Sequence, residues 1–318
     1  MNAAASVVAL SGGIGGAKLA LGLYHALPPD RLMVVCNTGD DFEHLGLSIS
    51  PDLDTVFYTL AGIANPETGW GRADETWSFM QALERLGGET WFRLGDADLA
   101  THVERTRRLA AGERLSAISD DFRTRLAVRA RVVPMCDEPV RTMVQTEDGV
   151  LPFQRYFVER RCAPKVGGFE FRGAGAARLT PALGAAFEAE SLEAVVICPS
   201  NPFISIDPIL AVPGMRAAIA ACRAPVVAVS PLIGGHAVKG PTAKMMAELG
   251  LPTSARAVAE HYDGLLDGFI LDHADADQAA EIGVPSLATR ILMASEDDKR
   301  TLAAEVLAFA RRLGEAAR

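Results

Sequence analysis

The amino-acid sequence predicts a doubly wound, Rossmann-like α/β protein, with a mostly parallel sheet and a smaller inserted α+β lobe. Three observations carry that expectation. Short β-branched apolar runs recur, each closes in a loop of glycine or polar residues, and the segments between them show helical periodicity. Runs that are apolar on both faces suit strands covered by helices on either side.

The elements follow in order. Val7 to Leu10 precedes SGGIGG, Leu32 to Cys36 precedes NTGDD, Ala194 to Cys198 precedes PSNP, Val226 to Ser230 precedes PLIGG, and Phe269 to Leu271 ends in DHAD. After the first run, Leu19, Ala20, Leu23, Tyr24 and Leu27 form one stripe of a helix. The middle differs. Glu75 to about Arg125 is helical and rich in charge, whereas Val140 to Arg172 alternates as strands do, with EDG as a hairpin turn. Gly250 followed by Pro252 stops a helix, and Ser295 can cap a last one whose Leu302, Val306, Phe309 and Leu313 face inward. Residues 1–74 and 190–318 are thus expected to build the nucleotide-binding core, and 75–189 the inserted helical and hairpin lobe.

Composition narrows the function. The chain has 318 residues, 49% hydrophobic and 22% charged, with a net charge of -9. That profile is globular, and its sign argues against holding nucleic acid by phosphate neutralisation. Cys36, Cys136, Cys162, Cys198 and Cys222 contain no CxxC pair, so they read as reduced thiols rather than a disulfide framework or a zinc site. No run approaches the roughly 18 to 20 apolar residues of a membrane span, and the start lacks a signal-peptide layout. A cytoplasmic protein with no membrane partner is expected.

Gly12, Gly13, Gly15 and Gly16 stand between a strand and a helix, where glycines let backbone approach a ligand and helix N–H groups attract an anion. Phosphate is the natural guest. The dinucleotide pattern GxGxxG fails at Lys18, and no GK[ST] follows. The glycines can also serve loop geometry alone, but phosphate or diphosphate binding is the better reading, with Lys18 either helping or solvated on its helix. The loop NTGDDFEHLGLSISPDLDT brings Asn37, Asp40 and Asp41 to the end of the second strand and Asp52 and Asp54 two residues apart. An extended 52–54 stretch would aim both carboxylates to one side, and carboxylates near a diphosphate suit a hard cation such as Mg²⁺. The competing reading makes Asp52 or Asp54 a helix cap and Asp40 a turn residue. Ser200 and Asn201 offer donors between Pro199 and Pro202, or form an ordinary Asn-Pro turn. His44, His102 and His236 show no metal spacing and read as surface or hydrogen-bonded histidines. With no GxSxG elbow and no Cys-His pair, the residues point to metal-assisted chemistry on a phosphorylated, nucleotide-like substrate.

The blocks SGGIGGAKLALGL, NTGDDFEHLGLSISPDLDTVFYTLAG, GWGRADETW, RLGDADLATH, PSNPFISIDPILAVPG and SPLIGGHAVKGPTAKMM, in this order, resemble the 2-phospho-L-lactate transferase (CofD) family of coenzyme F-420 biosynthesis. That resemblance implies attack by the ribityl hydroxyl of the deazaflavin Fo on the phosphate next to a three-carbon acid in a guanosine diphospho-linked donor. GMP leaves and a phosphodiester forms. It also implies Mg²⁺ and a homodimer. Carried onto this chain, Gly12, Gly13, Gly15, Gly16, Ser200 and Asn201 would hold the donor. Asp41 and Asp54 would be the leading metal and catalytic residues, with Asp40 and Asp52 next. Trp70, Arg72, Glu75 and Trp77 are expected near the site. The three-carbon acid, whether lactyl, enolpyruvyl or 3-phosphoglyceryl, stays open. A regulatory nucleotide-sugar-binding relative shares the fold, but its second-strand loop resembles DDGGSSGRLR, which this chain lacks. A nicotinamide-dependent oxidoreductase is argued against by the failed third glycine and by a second strand without a terminal acidic residue.

Overall fold

A computed structural model describes residues 5–316. In chain order the strands are β1 Val7–Ser11, β2 Leu32–Cys36, β3 Phe42–His44, β4 Leu47–Ile49, β5 Arg131–Pro134, β6 Arg141–Thr146, β7 Gly149–Pro152, β8 Val166–Arg172, β9 Ala194–Ile197, β10 Val226–Val229, β11 Leu232–Ile233, β12 His236–Ala237, β13 Gly268–Asp272 and β14 Ser286–Thr289. The α-helices are α1 Gly13–Ala26, α2 Pro51–Leu60, α3 Ser78–Arg85, α4 Asp96–Ala110, α5 Leu115–Arg125, α6 Pro181–Glu188, α7 Asp207–Leu210, α8 Met215–Ala221, α9 Thr242–Glu248, α10 Ala255–His261 and α11 Glu296–Ala316.

Seven strands form the central sheet in the order β14-β13-β10-β9-β1-β2-β5, and every pairing in it is parallel. The doubly wound fold expected from the apolar runs is therefore present. Alternation along β1 and β2 explains why both faces had to be covered. Val8, Leu10, Met33 and Val35 enter one core with the helices of the second half, while Val7, Ala9, Leu32 and Val34 enter the other with α1, α2, α5 and α11. Every residue of these two strands is buried.

From β1 the chain winds outward through β2 to β5, then returns to the other side of β1 and winds through β9, β10 and β13 to β14. The order reverses between β1 and β9. The loops leaving the carboxyl ends of those two strands diverge there, which is where open α/β sheets form a crevice.

The middle of the chain corrects one expectation. Residues 75–189 do not form a separate lobe, because β5 is the edge strand of the central sheet. The three-stranded antiparallel sheet β7-β6-β8 also shares the main core, through Val144, Val166 and Tyr156. Its hairpin turns at Glu147 and Asp148, with Thr146 paired to Gly149, as the EDG signal indicates. The charge-rich stretch forms α3, α4 and α5, and a small separate cluster of Ile49, Met80 and Leu94 ties the β3-β4 hairpin to α3 and α4. At the far end, Ser295 Oγ accepts the Asp298 N–H at 3.1 Å and so caps α11, which buries Leu302, Val306 and Phe309.

Helix α11 crosses α1 at Gly22, where an added methyl group would collide with the Lys299 carbonyl. The close approach is backbone against backbone, so little can yield. Gly22→Ala is expected to cost roughly 1–3 kcal/mol of stability, as overpacking does, read as a lowered midpoint in urea unfolding.

Candidate functional site

A cleft of about 680 Å³ opens at the switch point, lined by the loops after β1, β2, β9 and β10 together with α2 and α4. The glycine loop forms its floor. Gly12 is extended and precedes α1, and Gly13 adopts φ +63, a left-handed backbone that favours glycine. Ser200 ties the two switch-point loops together: its Oγ donates to the Gly12 carbonyl at 2.7 Å and accepts the Gly12 N–H at 3.1 Å. A side chain at Gly15 would strike the Pro199 carbonyl, and one at Gly16 would strike Ser11 and Ser200. Gly12, Gly13 and Gly15 line the cleft, whereas Gly16 packs behind it. The glycines therefore admit the Pro199–Ser200 turn first, and the floor so made leaves N–H groups of the first turn of α1 without intrahelical partners.

The acidic residues separate into distinct roles. The 52–54 stretch is the first turn of α2, not extended backbone, so Asp52 and Asp54 diverge. Neither caps it, since the N-cap is Ser50. Asp52 reaches back to the glycine loop. Its Oδ1 accepts the Gly13 N–H at 2.7 Å and its Oδ2 accepts from Asn37 Nδ2 at 2.9 Å. Burial nevertheless pushes its carboxyl up to about 6, against the pull of Asn37 and Gly13. Asn37 is fully buried and does not line the cleft; it also donates to the Ile204 carbonyl and accepts from Gly39, so it positions Asp52. Asp40 lines the cleft, and its Oδ1 is buried without a partner. Burial, and then repulsion from Asp52, raises it well above the usual carboxylate range.

Asp41, expected as a leading metal residue, points elsewhere. It faces a small side pocket of about 80 Å³ with Thr38, Asp137 and Arg141, and accepts from Ser50 Oγ at 2.7 Å. Burial pushes it up to about 7 despite the nearby Arg141. Asp54 does border the cleft, but both of its oxygens are held by the guanidinium of Arg105, one at 3.0 Å from Nη1 and the other by Nη2. Arg105 is 1% exposed. A carboxylate already neutralised in this way is a poorer ligand for a cation than Asp40 or Asp52.

Around that pair lies a network that residue spacing alone did not reveal. His102 Nε2 lies 3.2 Å from Asp98 Oδ2, and its Nδ1 is 3.4 Å from Arg105 and 3.7 Å from Asp54. Tyr58 donates to Asp98 at 2.6 Å. Asp98, His102 and Arg105 occupy positions i, i+4 and i+7 of α4, one face of a helix, and that spacing in RLGDADLATH and beyond was the available signal. Asp54, Asp98 and His102 offer ligand atoms within 4.8 Å of one another, but the Arg105 charge occupies the same place.

Asn201 lines the cleft, yet its Oδ1 accepts from Phe203 at 2.9 Å and from Ile204, so it also caps the turn that follows. Lys18 is in the cleft wall and donates to the Met293 carbonyl at 2.9 Å; burial and then Lys239 and Lys299 hold its pKa below the ordinary value. In the GWGRADETW block Trp70 and Gly71 border the cleft. Arg72 lies 5.7 Å over the Tyr58 ring, Glu75 accepts the Ala97 and Asp98 N–H groups at the start of α4, and Trp77 packs beneath Arg93 at 4.1 Å. The other end of the cleft is aromatic. Trp91 and Phe92, with Phe157 stacked on Phe153 at 5.2 Å, form its wall, and Arg155 covers Trp91 at 4.3 Å.

The fold and this cleft define the class: a doubly wound α/β protein whose site lies at the switch point, with an anion-receptive floor, buried carboxylates and an apolar aromatic end. The chain belongs to the 2-phospho-L-lactate transferase CofD family, whose model matches residues 7–292, a family of transferases of coenzyme F-420 biosynthesis. It is 42% identical over 319 residues to the phosphoenolpyruvate transferase of Streptomyces coelicolor, covering 98% of this chain and 99% of that one. It is 37% identical over 300 residues to the 2-phospho-L-lactate transferase of Methanosarcina mazei, covering 93% and 98% respectively. A UPF0052-family protein of Bacillus halodurans, 14% identical, superposes with a TM-score of 0.63 over 96% of this chain and 99% of its own, which shows the shared fold.

Two outcomes follow from the electrostatics. Removing Arg105 as Arg105→Ala leaves Asp54 buried and unpaired, and is expected to cost about 3–5 kcal/mol in urea unfolding. Asp41 and Asp52 keep protons in the folded chain, near pH 7 and 6, that the unfolded chain releases near pH 4. Unfolding then releases protons, so stability measured in EDTA should fall as pH rises from about 4 through about 7. A stability that rises steadily over that window would contradict the raised carboxyls that burial gives Asp41 and Asp52.

Proposed function

We propose that the chain transfers a phosphoenolpyruvyl group from a guanosine diphospho-linked donor to the ribityl hydroxyl of Fo, releasing GMP. The observation that carries this reading is the cleft itself, which joins a glycine-loop floor and buried carboxylates to an aromatic end. The choice of acid rests on five relatives 41–42% identical named phosphoenolpyruvate transferase; a sixth of that name is 38% identical, and two named 2-phospho-L-lactate transferase are 37–38% identical.

In this reading the donor diphosphate lies on the floor formed by Gly12, Gly13 and Gly15, beside Lys18 and Ser200, where the first-turn N–H groups of α1 beyond Gly13, whose own N–H is taken by Asp52, donate to phosphate oxygens. The deazaflavin ring stacks in the aromatic end, against Trp91 and Phe157. The hydroxyl oxygen forms a bond to the phosphorus next to the three-carbon acid, the bond from that phosphorus to the bridging oxygen breaks so that GMP leaves with the oxygen and its electron pair, and the hydroxyl proton passes to solvent. Such a transfer needs alignment and charge neutralisation more than a side-chain nucleophile. The residues present fit Mg²⁺. Asp40 has a buried oxygen without a partner, Asp40 and Asp52 repel each other in a desolvated site, and both offer hard oxygen donors. They would hold the ion, which when bound supplies charge neutralisation at the phosphates. Asp54 keeps Arg105 and the Asp98–His102 pair in place instead. The same reading takes the working form to be a homodimer in the cytoplasm; no single helix among the described residues is long and apolar enough to cross a membrane.

Incubation with Mg²⁺, Fo and the three guanosine diphospho-linked acids, read by mass spectrometry, should give GMP and the enolpyruvyl phosphodiester. No product from any donor would sink the proposal, and a clear preference for the lactyl or glyceryl donor would reassign the acid. For the ion, Asp40→Asn is expected to raise metal-free stability at pH 8 and to remove the Mg²⁺-induced rise in Tm, while Asp41→Asn retains that rise. Equal loss in both variants would return Asp41 to the metal shell.

A further inference from the structure

Three cleft-lining residues carry a fixed positive charge: Lys18, Arg93 and Lys239. Arg93 belongs to the aromatic side, stacked over Trp77 at 4.1 Å. The two lysines belong to the glycine-loop side, and Lys239 was not singled out by the sequence. Its Nζ donates to the Thr68 carbonyl at 2.8 Å, so the loop after β12 meets the 62–77 loop across the mouth of the cleft. Gly69, at φ +76, lies between this ammonium and the start of α1. An added Cβ there would be 3.0 Å from Ile14 Cγ2 and 3.3 Å from Lys239 Nζ. That packing holds Lys239 over the glycine loop although the residue is exposed.

Among the described residues Lys18, Lys165 and Lys239 are lysines without an ion pair, and of these only Lys18 and Lys239 line the cleft. Lys244 and Lys299 each pair with a glutamate on their own helix. Among the described residues Lys18 and Lys239 pair with no carboxylate; each ammonium has one backbone carbonyl. They are also close enough for Lys239 to disfavour the charge on Lys18. Two unneutralised like charges beside an anion-receptive helix start call for a ligand whose negative charge is more than one.

We propose that Lys239, together with Lys18, holds the phosphate that departs with guanosine, making Lys239 a catalytic residue of the transfer. The assignment rests on the proposed reaction, and it deepens that reading by giving the cleft a direction. In-line attack from the aromatic end puts the leaving oxygen on the opposite side, where the lysines are. As the phosphorus–oxygen bond breaks, its electron pair stays with the GMP phosphate and adds one negative charge there. An ammonium that meets that charge more strongly in the transition state than in the bound donor raises kcat. Lys239 exchanges the Thr68 carbonyl for a phosphate oxygen when the donor binds.

The test compares wild type, Lys239→Ala and Lys239→Arg in steady-state turnover with Fo and the preferred donor, in product inhibition by GMP, and in direct calorimetric binding of GMP. Loss of one such donor is expected to lower kcat about 100-fold or more, with donor KM changed less than about threefold and the GMP inhibition constant raised about tenfold. Lys239→Arg should recover much of the loss, because it keeps the charge but not the ammonium geometry. Thermal unfolding should be unchanged for an exposed side chain, which separates the assigned role from a structural one. Wild-type turnover with Lys239→Ala within about twofold in both kcat and GMP inhibition overturns the lysine assignment and leaves the reaction standing. A wild-type chain that neither turns over nor binds GMP overturns the reaction and the assignment with it.

Discussion

The structure depends on how closely two loops approach at the point where the sheet reverses direction. β1 and β9 are adjacent and parallel, and the chain leaves their carboxyl ends toward opposite halves of the molecule. Glycine at positions 15 and 16 lets the Pro199–Ser200 turn lie directly on the start of α1, and the reciprocal Gly12–Ser200 hydrogen bonds lock it there. A side chain at either position would push the loops apart and tilt α1 relative to the sheet. The floor of the cleft is thus made by packing before any ligand arrives, and the same geometry that satisfies the packing leaves helix N–H groups directed at the cleft.

Against that floor the chain gathers more buried negative charge than a structural role requires. Asp40, Asp41, Asp52 and Asp54 are each 7% exposed or less. Burial of this kind costs free energy unless every charge is matched. The chain matches them unequally. Arg105 neutralises Asp54, Asn37 and Gly13 hydrogen-bond Asp52, Ser50 serves one oxygen of Asp41 and leaves the other without a partner, and Asp40 has a partnerless oxygen with no side-chain hydroxyl or cation bonded to the other. The best-paired carboxylate braces the α2–α4 interface, and the least-paired one faces the cleft. Strain of this sort is retained at functional sites because neutralising it there would remove the function with it.

Some of this was legible from residues alone and some was not. Five central strands, a helix stop, the last cap and the hairpin are local, so the apolar runs, Gly250, Ser295 and EDG sufficed to locate them. Asp52 and Asp54 were recognised as site residues, but their geometry was misjudged, because Pro51 opens a helix there and sends the two carboxylates to different partners. Asp41 and Asp40 are adjacent in sequence, and nothing local says which of the two faces the cleft. The Asp98–His102–Arg105 face had the right helical spacing, yet a spacing does not reveal that Asp54, 51 residues before Arg105, would be its target.

The sequence by itself determined the doubly wound architecture, the loops that line the cleft and, through the order of its motif blocks, the family. Each of these is written in local pattern or in contiguous residues. Only the tertiary structure decided that β5 belongs to the central sheet, that Asp40 rather than Asp41 faces the cleft, and that Lys239 crosses its mouth to the Thr68 carbonyl. Those outcomes depend on which distant segments meet, and no short-range propensity encodes the meeting of residues 171 positions apart.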